Sequence, residues 1–188
     1  TVTADAKNKT YGDNNPSLTA TETNVPTGAA ALNYTLSTTA GQFSNVGSYP
    51  ITVNLGSNPN YSVTANNGSL TINQRTLTVT ATASNKVYDS TNTATATLSD
   101  NRVNSDDITV NQTSATFSDK NVANGKTVTV GGLGLSGPKS GNYTLAATSV
   151  TTTANITPAS ITPVVSGFTG GVYDQVTKTQ TVTITGVG

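Results

Sequence analysis

Three copies of one short tyrosine motif constrain what this chain can fold into. The copies lie at Asn8–Asp13, Ser84–Asp89 and Gly170–Asp174, and their tyrosines are 77 and 85 residues apart. Self-similarity at a nearly fixed period is the signature of tandem repeats. The chain is therefore predicted to be a modular array in which each motif marks the start of one unit.

Residue composition and periodicity favour an all-β structure. Threonine is the most frequent residue, whereas the helix formers Glu, Met and Lys are scarce or absent. Strict alternation places Tyr49, Ile51, Val53 and Leu55 on one face, which we expect to be buried. Such alternation also argues against disorder, although only 10% of the residues are charged. We predict tandem small β-sandwich or β-grasp-like repeat domains arranged as an elongated rod.

Landmarks within the repeats predict where each domain begins and ends. Asn45-Val46-Gly47 is followed by Asn60-Tyr61, and the corresponding pairs Asn121-Val122 and Asn142-Tyr143 recur in the same order. The predicted domains are residues 1–74, 75–158 and a partial third β repeat at 159–188. Because the link at 73–76 contains neither Pro nor Gly, we expect a stiff joint with little further contact between the first two repeats. Since the sequence begins in mid-pattern, we expect it to be a piece of a longer protein.

The motifs resemble two families of bacterial repeat domain. Residues 1–74 resemble an MBG domain, with KTYGD, VGSYPITV and a closing LTI, and residues 75–158 resemble a YDG domain, with SNKVYDS, GNYTL and ANITPA. Ser90 departs from the pattern, since the family has glycine after Tyr-Asp, and we expect it to change the turn rather than the fold. The resemblance implies a stalk or repeat region of an adhesin-type or exopolysaccharide-associated surface protein, and it implies no catalytic residues.

Several classes of function are disfavoured by what the sequence contains. His and Cys are absent, which excludes catalytic triads, thiol nucleophiles and ordinary zinc sites, and Glu22 is the only glutamate. We therefore expect no enzyme activity, no transition metal and no cofactor. Nine basic residues balance nine acidic ones, so nucleic acid is not an expected partner. No apolar run is long enough for membrane insertion.

One loop carries the densest group of acidic residues and is a weak candidate for calcium. Asp100, Asp106 and Asp107 lie within seven residues of each other on either side of Arg102. Hard cations are bound by such oxygen ligands. Asp, Asn and Ser also form side-chain bonds to the backbone in turns, and this alternative is favoured because Arg102 lowers the local charge.

The tyrosine motif offers a second candidate site, for a glycan. Tyr88 with Asp89, and Tyr173 with Asp174, could present an aromatic face beside a carboxylate that accepts hydroxyl hydrogen bonds. The favoured alternative is structural, because a feature that recurs in every repeat is usually needed for folding. We expect Tyr88 to be largely buried against the strand around Val128 and Val130.

Two further expectations concern turns. Asp89 is expected to stabilise the turn that follows Tyr88. Gly47 lies two residues before Tyr49, as in a tyrosine corner, where the hydroxyl bonds back to the backbone. A simple core role for Tyr49 is an equally good reading.

The sequence favours a mechanical role over a chemical one. The prediction is a structural stalk or spacer of a bacterial cell-surface adhesin-type protein, located outside the cell, that projects a distal functional domain. Its expected partners are neighbouring repeats of the same chain. The alternatives are a module that binds host or matrix glycans or exopolysaccharide, and an accessory region of an extracellular enzyme.

Overall fold

In the computed structural model, residues 1–165 and 182–185 are described. Their secondary structure is nearly all β-strand, with one short 3-10 turn at Ser140–Asn142 among the described residues. The strands, in chain order, are β1 (Val2–Ala4), β2 (Lys7–Thr10), β3 (Ala20–Glu22), β4 (Tyr34–Thr38), β5 (Gly47–Leu55), β6 (Ala65–Asn66), β7 (Gly68–Asn73), β8 (Arg75–Leu77), β9 (Val79–Ala83), β10 (Lys86–Val87), β11 (Ala96–Asp100), β12 (Thr109–Asn111), β13 (Ser114–Phe117), β14 (Ala123–Gly131), β15 (Gly134–Ser136), β16 (Tyr143–Leu145), β17 (Ser149–Thr157), β18 (Thr162–Val165) and β19 (Val182–Thr185). The predicted all-β class is confirmed.

The chain divides into two compact units that are not continuous in sequence. The first unit comprises residues 1–79, 100–111 and 134–147, and the second comprises 80–99, 112–133 and 148–188. Residues 100–111 and 134–147 therefore pack with the first repeat, although the sequence places them in the second. Contact with the first repeat extends well beyond the 73–76 link, contrary to the expectation of a joint limited to it.

The first unit is a small sandwich. Its larger sheet has the order β2-β7-β5-β4, in which β2 runs parallel to β7 and the other pairs are antiparallel. The smaller sheet has the order β3-β1-β6, and β1 lies against β5 and β7. This contact buries apolar side chains that alternate along the strands, including Val2, Ile51, Leu70 and Ile72.

Alternation in β5 predicts burial correctly for part of the strand. Ile51 and Val53 are buried, and Tyr49 is half-buried. Leu55 is 41% exposed, so the expectation that it shares the buried face is wrong. Leu55 is the last residue of β5 and pairs with Tyr34, the first residue of β4, at the end of the sheet. Side chains at a sheet end have fewer neighbours to cover them.

The second unit repeats the larger sheet of the first. Its order is β10-β17-β14-β13, again with one parallel pair, β10 with β17, at one edge. Phe117, Val128, Val130 and Ile156 form its buried centre. β9 pairs with β11 in a separate two-stranded sheet. The repeat inferred from the tyrosine motif is therefore present in the topology as well as in the sequence.

Candidate functional site: a buried tyrosine junction

Tyr11 of the first motif lies at the centre of a buried cluster. It follows β2, and its amide donates to the Asn73 carbonyl at 2.9 Å, which continues the parallel pairing with β7. The side chain is fully buried and packs edge-on against the rings of Tyr143, at 5.6 Å between centroids, and Phe43, at 6.4 Å. Edge-to-face packing at these distances is favourable. Burial raises the pKa of Tyr11 well above its ordinary value, and nearby Asp106 adds to the effect.

The Tyr143 hydroxyl acts both as a hydrogen-bond donor and as a hydrogen-bond acceptor. The hydroxyl donates to Asp106 Oδ2 at 2.7 Å and accepts from the Val103 amide at 3.1 Å. Tyr143 is 3% exposed and Asp106 is 5% exposed, so the hydrogen bond between them is shielded from solvent. Burial, together with Asp106, raises the pKa of Tyr143. We call Tyr11, Asp106, Asn142 and Tyr143 the tyrosine junction.

Hydrogen bonds hold the Asn142 side chain and the carbonyl groups of its two neighbours in the chain. Asn142 accepts from the Val46 amide through Oδ1 at 2.9 Å and donates to Asn45 Oδ1 at 3.1 Å. Gln74 Nε2 donates to the carbonyls of Gly141 and Tyr143, each at 3.1 Å. Because Asn142 is only 4% exposed, these bonds satisfy polar groups that burial would otherwise penalise.

Arg75 and Gly12 make further contacts next to Tyr11. Arg75 donates through Nη1 to the Tyr11 carbonyl at 3.3 Å and forms an ion pair with Asp13 at 3.2 Å. Gly12 has a φ of 86°, and a Cβ built on it would lie 2.9 Å from the Val103 side chain. Glycine is therefore required both by the backbone conformation and by the close approach.

The motif lysines Lys9 and Lys86 each lie on the edge strand of a sheet and donate hydrogen bonds to neighbouring loops. Lys9 is 7% exposed, and its ammonium donates to the carbonyls of Asp13, Gly41 and Gln42 at 2.8–3.1 Å. Burial lowers the pKa of Lys9. Lys86 donates to the carbonyl oxygens of Thr91 and Thr93 and lies 5.8 Å from the centre of the Phe117 ring.

The calcium candidates Asp100, Asp106 and Asp107 serve different contacts. The Asp100 carboxylate accepts two bonds from Arg102, at 2.9 Å from Nε and 2.5 Å from Nη2, and this pairing lowers the pKa of Asp100. Asp106 binds Tyr143, and the Asp107 side chain is exposed. Within residues 1–165 and 182–185, no group of three or more acidic side chains is placed to hold a metal ion.

The glycan candidates divide between described and undescribed residues. Tyr88 is partly buried, and its ring is less enclosed than the fully buried ring of Tyr11. Its strand, β10, is separated from Val128 and Val130 on β14 by β17, whereas Phe117 lies directly opposite Val128. Phe117 thus occupies the core position that was assigned to Tyr88. Tyr173 and Asp174 lie outside the described residues.

Asp89 stabilises the turn after Tyr88, as its sequence position predicts. One carboxylate oxygen accepts from the Thr91 amide and hydroxyl, each at 2.9 Å, and forms an ion pair with Lys86 at 2.7 Å. These contacts, that with Lys86 foremost, hold the pKa of Asp89 at about 2. Ser90 follows with a φ of 68°, in the left-handed region that favours glycine.

Tyr49 forms the corner that Gly47 predicts. Its hydroxyl donates to the Asn45 carbonyl at 2.9 Å. The position that corresponds to Tyr49 in the second unit is Lys126, because each pairs with an equivalent residue on the neighbouring strand, Leu70 or Ala154. Lys126 binds Asp119 at 2.6 Å instead. An ion pair therefore takes the place of the tyrosine corner.

Sequence reasoning treated the Asn142-Tyr143 pair only as a landmark and missed its contact with Tyr11. The available signal was the recurrence of an Asn-Tyr pair in each repeat, alongside the motif tyrosine. Pairing the two tyrosines requires knowing that residues 132 positions apart are neighbours, as the contact of Tyr11 with Tyr143 demonstrates.

Comparison with models of protein families identifies two domains in chain order. Residues 1–71 match the MBG domain of YGX type, and residues 73–152 match the YDG domain. The order and type expected from the motifs are thus confirmed. Neither the search of curated proteins nor the search of solved structures found a match. In the part of the chain that the structure describes, no helix is long and apolar enough to cross a membrane.

Proposed function

We propose that this chain, an MBG domain followed by a YDG domain, is a structural stalk segment of a bacterial cell-surface protein that holds a distal functional domain away from the cell. In this role the segment acts through its length and stiffness and performs no catalysis. Its location is extracellular, which suits a chain without Cys or Met because such a chain resists oxidation.

The tyrosine junction is the observation that carries this proposal. A stalk requires successive repeats to be joined rigidly. Tyr11, from the MBG segment, is fully buried against Tyr143, from the YDG segment, and Asn142 and Gln74 add hydrogen bonds beside the two rings. A buried aromatic contact supported by hydrogen bonds beside it holds residues 134–147 of the YDG segment against the MBG segment.

The use of the motif side chains also supports a structural role. Lys9 binds three backbone carbonyls, and Asp89 is engaged by Lys86 and Thr91. Groups already satisfied within the chain gain little by binding a ligand, because new hydrogen bonds would replace existing ones.

Small-angle X-ray scattering of residues 1–188 tests the stalk proposal. The expected distance distribution is that of an elongated particle, with a maximum dimension well above that of a compact sphere of 188 residues. A distribution typical of a single sphere would contradict the proposal.

A glycan-binding module is the second candidate, and one observation favours it. Tyr88 is only partly buried, and the carboxylate of Asp89, the next residue, is exposed. A glycan array probed with the wild-type chain and with Tyr88→Ala separates the two functions. The stalk proposal expects no specific glycan signal from either protein. A signal that Tyr88→Ala abolishes, with folding unchanged, would replace the stalk with a lectin.

A further inference from the structure

One end of the second unit repeats the layout that surrounds Tyr11. The Tyr88 amide donates to the Thr157 carbonyl at 2.8 Å, as the Tyr11 amide donates to Asn73 at 2.9 Å. Both tyrosines follow a short edge strand that runs parallel to the long central strand beside it. Tyr88 is therefore the structural equivalent of Tyr11, yet Tyr11 is fully buried and Tyr88 is not.

Other apolar residues near Tyr88 are also more exposed than their equivalents. Leu77 lies four residues after Asn73 and is fully buried, whereas Ile161 lies four residues after Thr157 and is 55% exposed. The difference has a specific cause. Leu77 lies on β8, which pairs in parallel with β16 and sets Leu77 opposite Leu145.

Valine side chains extend this exposed region. Val122, the equivalent of Val46, is 47% exposed, and Val87 is 57% exposed. Val87 pairs with Thr157, and Val122 immediately precedes Ala123, which pairs with Ile156. The topology thus places Val87, Tyr88, Val122 and Ile161 at one end of the second unit. We call these four residues the uncovered end.

A single segment covers the equivalent positions in the first unit. Asn142 bonds to Val46, Tyr143 packs on Tyr11, and Leu145 pairs with Leu77. The sequence of that segment, Asn142–Leu145, is Asn-Tyr-Thr-Leu, and the MBG domain has Asn-Tyr-Ser-Val at Asn60–Val63. The chain itself thus indicates what kind of strand fits such a surface.

We propose that the uncovered end is a docking surface for the Asn-Tyr strand of a further MBG- or YDG-type domain. The docking tyrosine packs edge-on against Tyr88, its preceding Asn bonds to the Val122 backbone, and the strand pairs in parallel with residues 159–161. This inference depends on the proposed function in one respect, because it requires a further domain of this type.

The chemistry of the uncovered end favours a protein strand over a sugar. Three of its four side chains are aliphatic, and the carboxylate of Asp89, the residue after Tyr88, is already bound by Lys86 and Thr91. Aliphatic groups gain from contact with another apolar surface and offer nothing to sugar hydroxyls. Ala159 stands where the first unit has Arg75, so the docked form lacks the equivalent of the Arg75–Asp13 ion pair.

The test uses a chain in which residues 1–158 are followed directly by a second copy of residues 75–158. This join keeps the register, because Pro158 corresponds to Gln74 and Arg75 then follows it. Among the described residues, β18 and β19 pair with each other alone, so replacing residues 159–188 leaves both four-stranded sheets intact. The intact 1–188 chain is the comparison protein.

Hydroxyl-radical footprinting with mass spectrometry measures the exposure of each Tyr88. In two matched variants, one copy of Tyr88 is changed to Phe, so that the signal comes from the other copy. We expect the internal Tyr88 to be modified severalfold more slowly than the terminal Tyr88. Tyr88→Ala should also lower the melting temperature more in the internal copy than in the terminal one. Equal modification at both positions would overturn the proposal.

Two further outcomes separate this inference from its rivals. If Tyr88 in the 1–188 chain becomes protected as protein concentration rises, the surface takes a second copy of this chain and the proposal fails in its present form. Glycan binding with a protected internal Tyr88 would overturn the stalk and keep the docking surface. Absence of both glycan binding and protection would overturn docking and leave the stalk.

Discussion

Tyr11 is the largest fully buried side chain among the described residues, and Tyr11→Ala should destabilise the first unit strongly. Removing a fully buried aromatic ring costs about 3–5 kcal/mol, through lost burial and the cavity left behind. Tyr88→Ala should cost about 1–1.5 kcal/mol, because its ring is only half-buried. Urea unfolding measures both. Tyr11→Phe is the matched control and should keep most of the stability, since the buried hydroxyl forms no hydrogen bond among the described residues. Equal losses in Tyr11→Ala and Tyr88→Ala would contradict the assignment.

Ser90 is a residue at which substitution should stabilise the second unit. Its φ of 68° costs an ordinary residue about 1–2 kcal/mol, whereas glycine adopts it freely at an entropic cost of about 0.5–1 kcal/mol. Its hydroxyl is also buried without a hydrogen-bond partner among the described residues. Ser90→Gly should therefore raise the free energy of unfolding by about 1 kcal/mol. Ser90→Ala removes the hydroxyl and keeps the backbone conformation, so it separates the two effects in thermal unfolding. A lower melting temperature for Ser90→Gly would refute the argument.

At the scale of the element, strand β2 is joined to two loops by Lys9. Lys9→Met removes the ammonium and leaves the carbonyls of Asp13, Gly41 and Gln42 without their donor. Unsatisfied buried acceptors cost about 1–3 kcal/mol each, and some of these reach solvent, so a loss of about 2–3 kcal/mol is expected in urea unfolding. Lys7→Met, two residues earlier on the same strand, is the control and should change stability by less than about 0.5 kcal/mol. Comparable losses at both positions would show that Lys9 contributes only charge.

The turn after β10 should make the second unit sensitive to acid. The folded pKa of Asp89 is about 2, below the unfolded value of about 3.9. A lowered folded pKa means that the stabilisation is present above pH about 4 and is lost as the pH falls toward about 2. Urea midpoints measured across this range should fall more steeply for wild type than for Asp89→Asn. Identical pH profiles would show that the Lys86–Asp89 contact does not influence folding.

At the scale of the whole molecule, the first unit is built from separate segments of the chain, which predicts coupling between those segments. Residues 100–111 and 134–147 fold with residues 1–79, so loosening Tyr11 should loosen them too. In hydrogen exchange with mass spectrometry, Tyr11→Ala should speed exchange in peptides from 100–111 and 134–147. Peptides from 123–131, in the centre of the second unit, are the internal control and should be unaffected. Faster exchange everywhere, or only within residues 1–79, would contradict the coupling.

The sequence alone determined the class of this protein, its repeats and the order of its domains. These features can be read from short stretches of sequence: the β-branched residues, the alternation along β5 and β14, and the recurring tyrosine motif. In a strand, residues two positions apart lie on the same face, so the buried face is visible in the local pattern. The role of Asp89 in its turn was predictable for the same reason, because its partners Lys86 and Thr91 are local.

Only the tertiary structure decided which motif tyrosine is buried. Tyr11 and Tyr88 occupy the same place in the same motif, yet their burial differs because Tyr143 covers one of them. The structure also places residues 100–111 and 134–147 of the YDG segment in the first compact unit, so the compact units differ from the repeats. Burial depends on which surfaces are in contact. A contact between residues 132 positions apart leaves no local sequence pattern that would predict it.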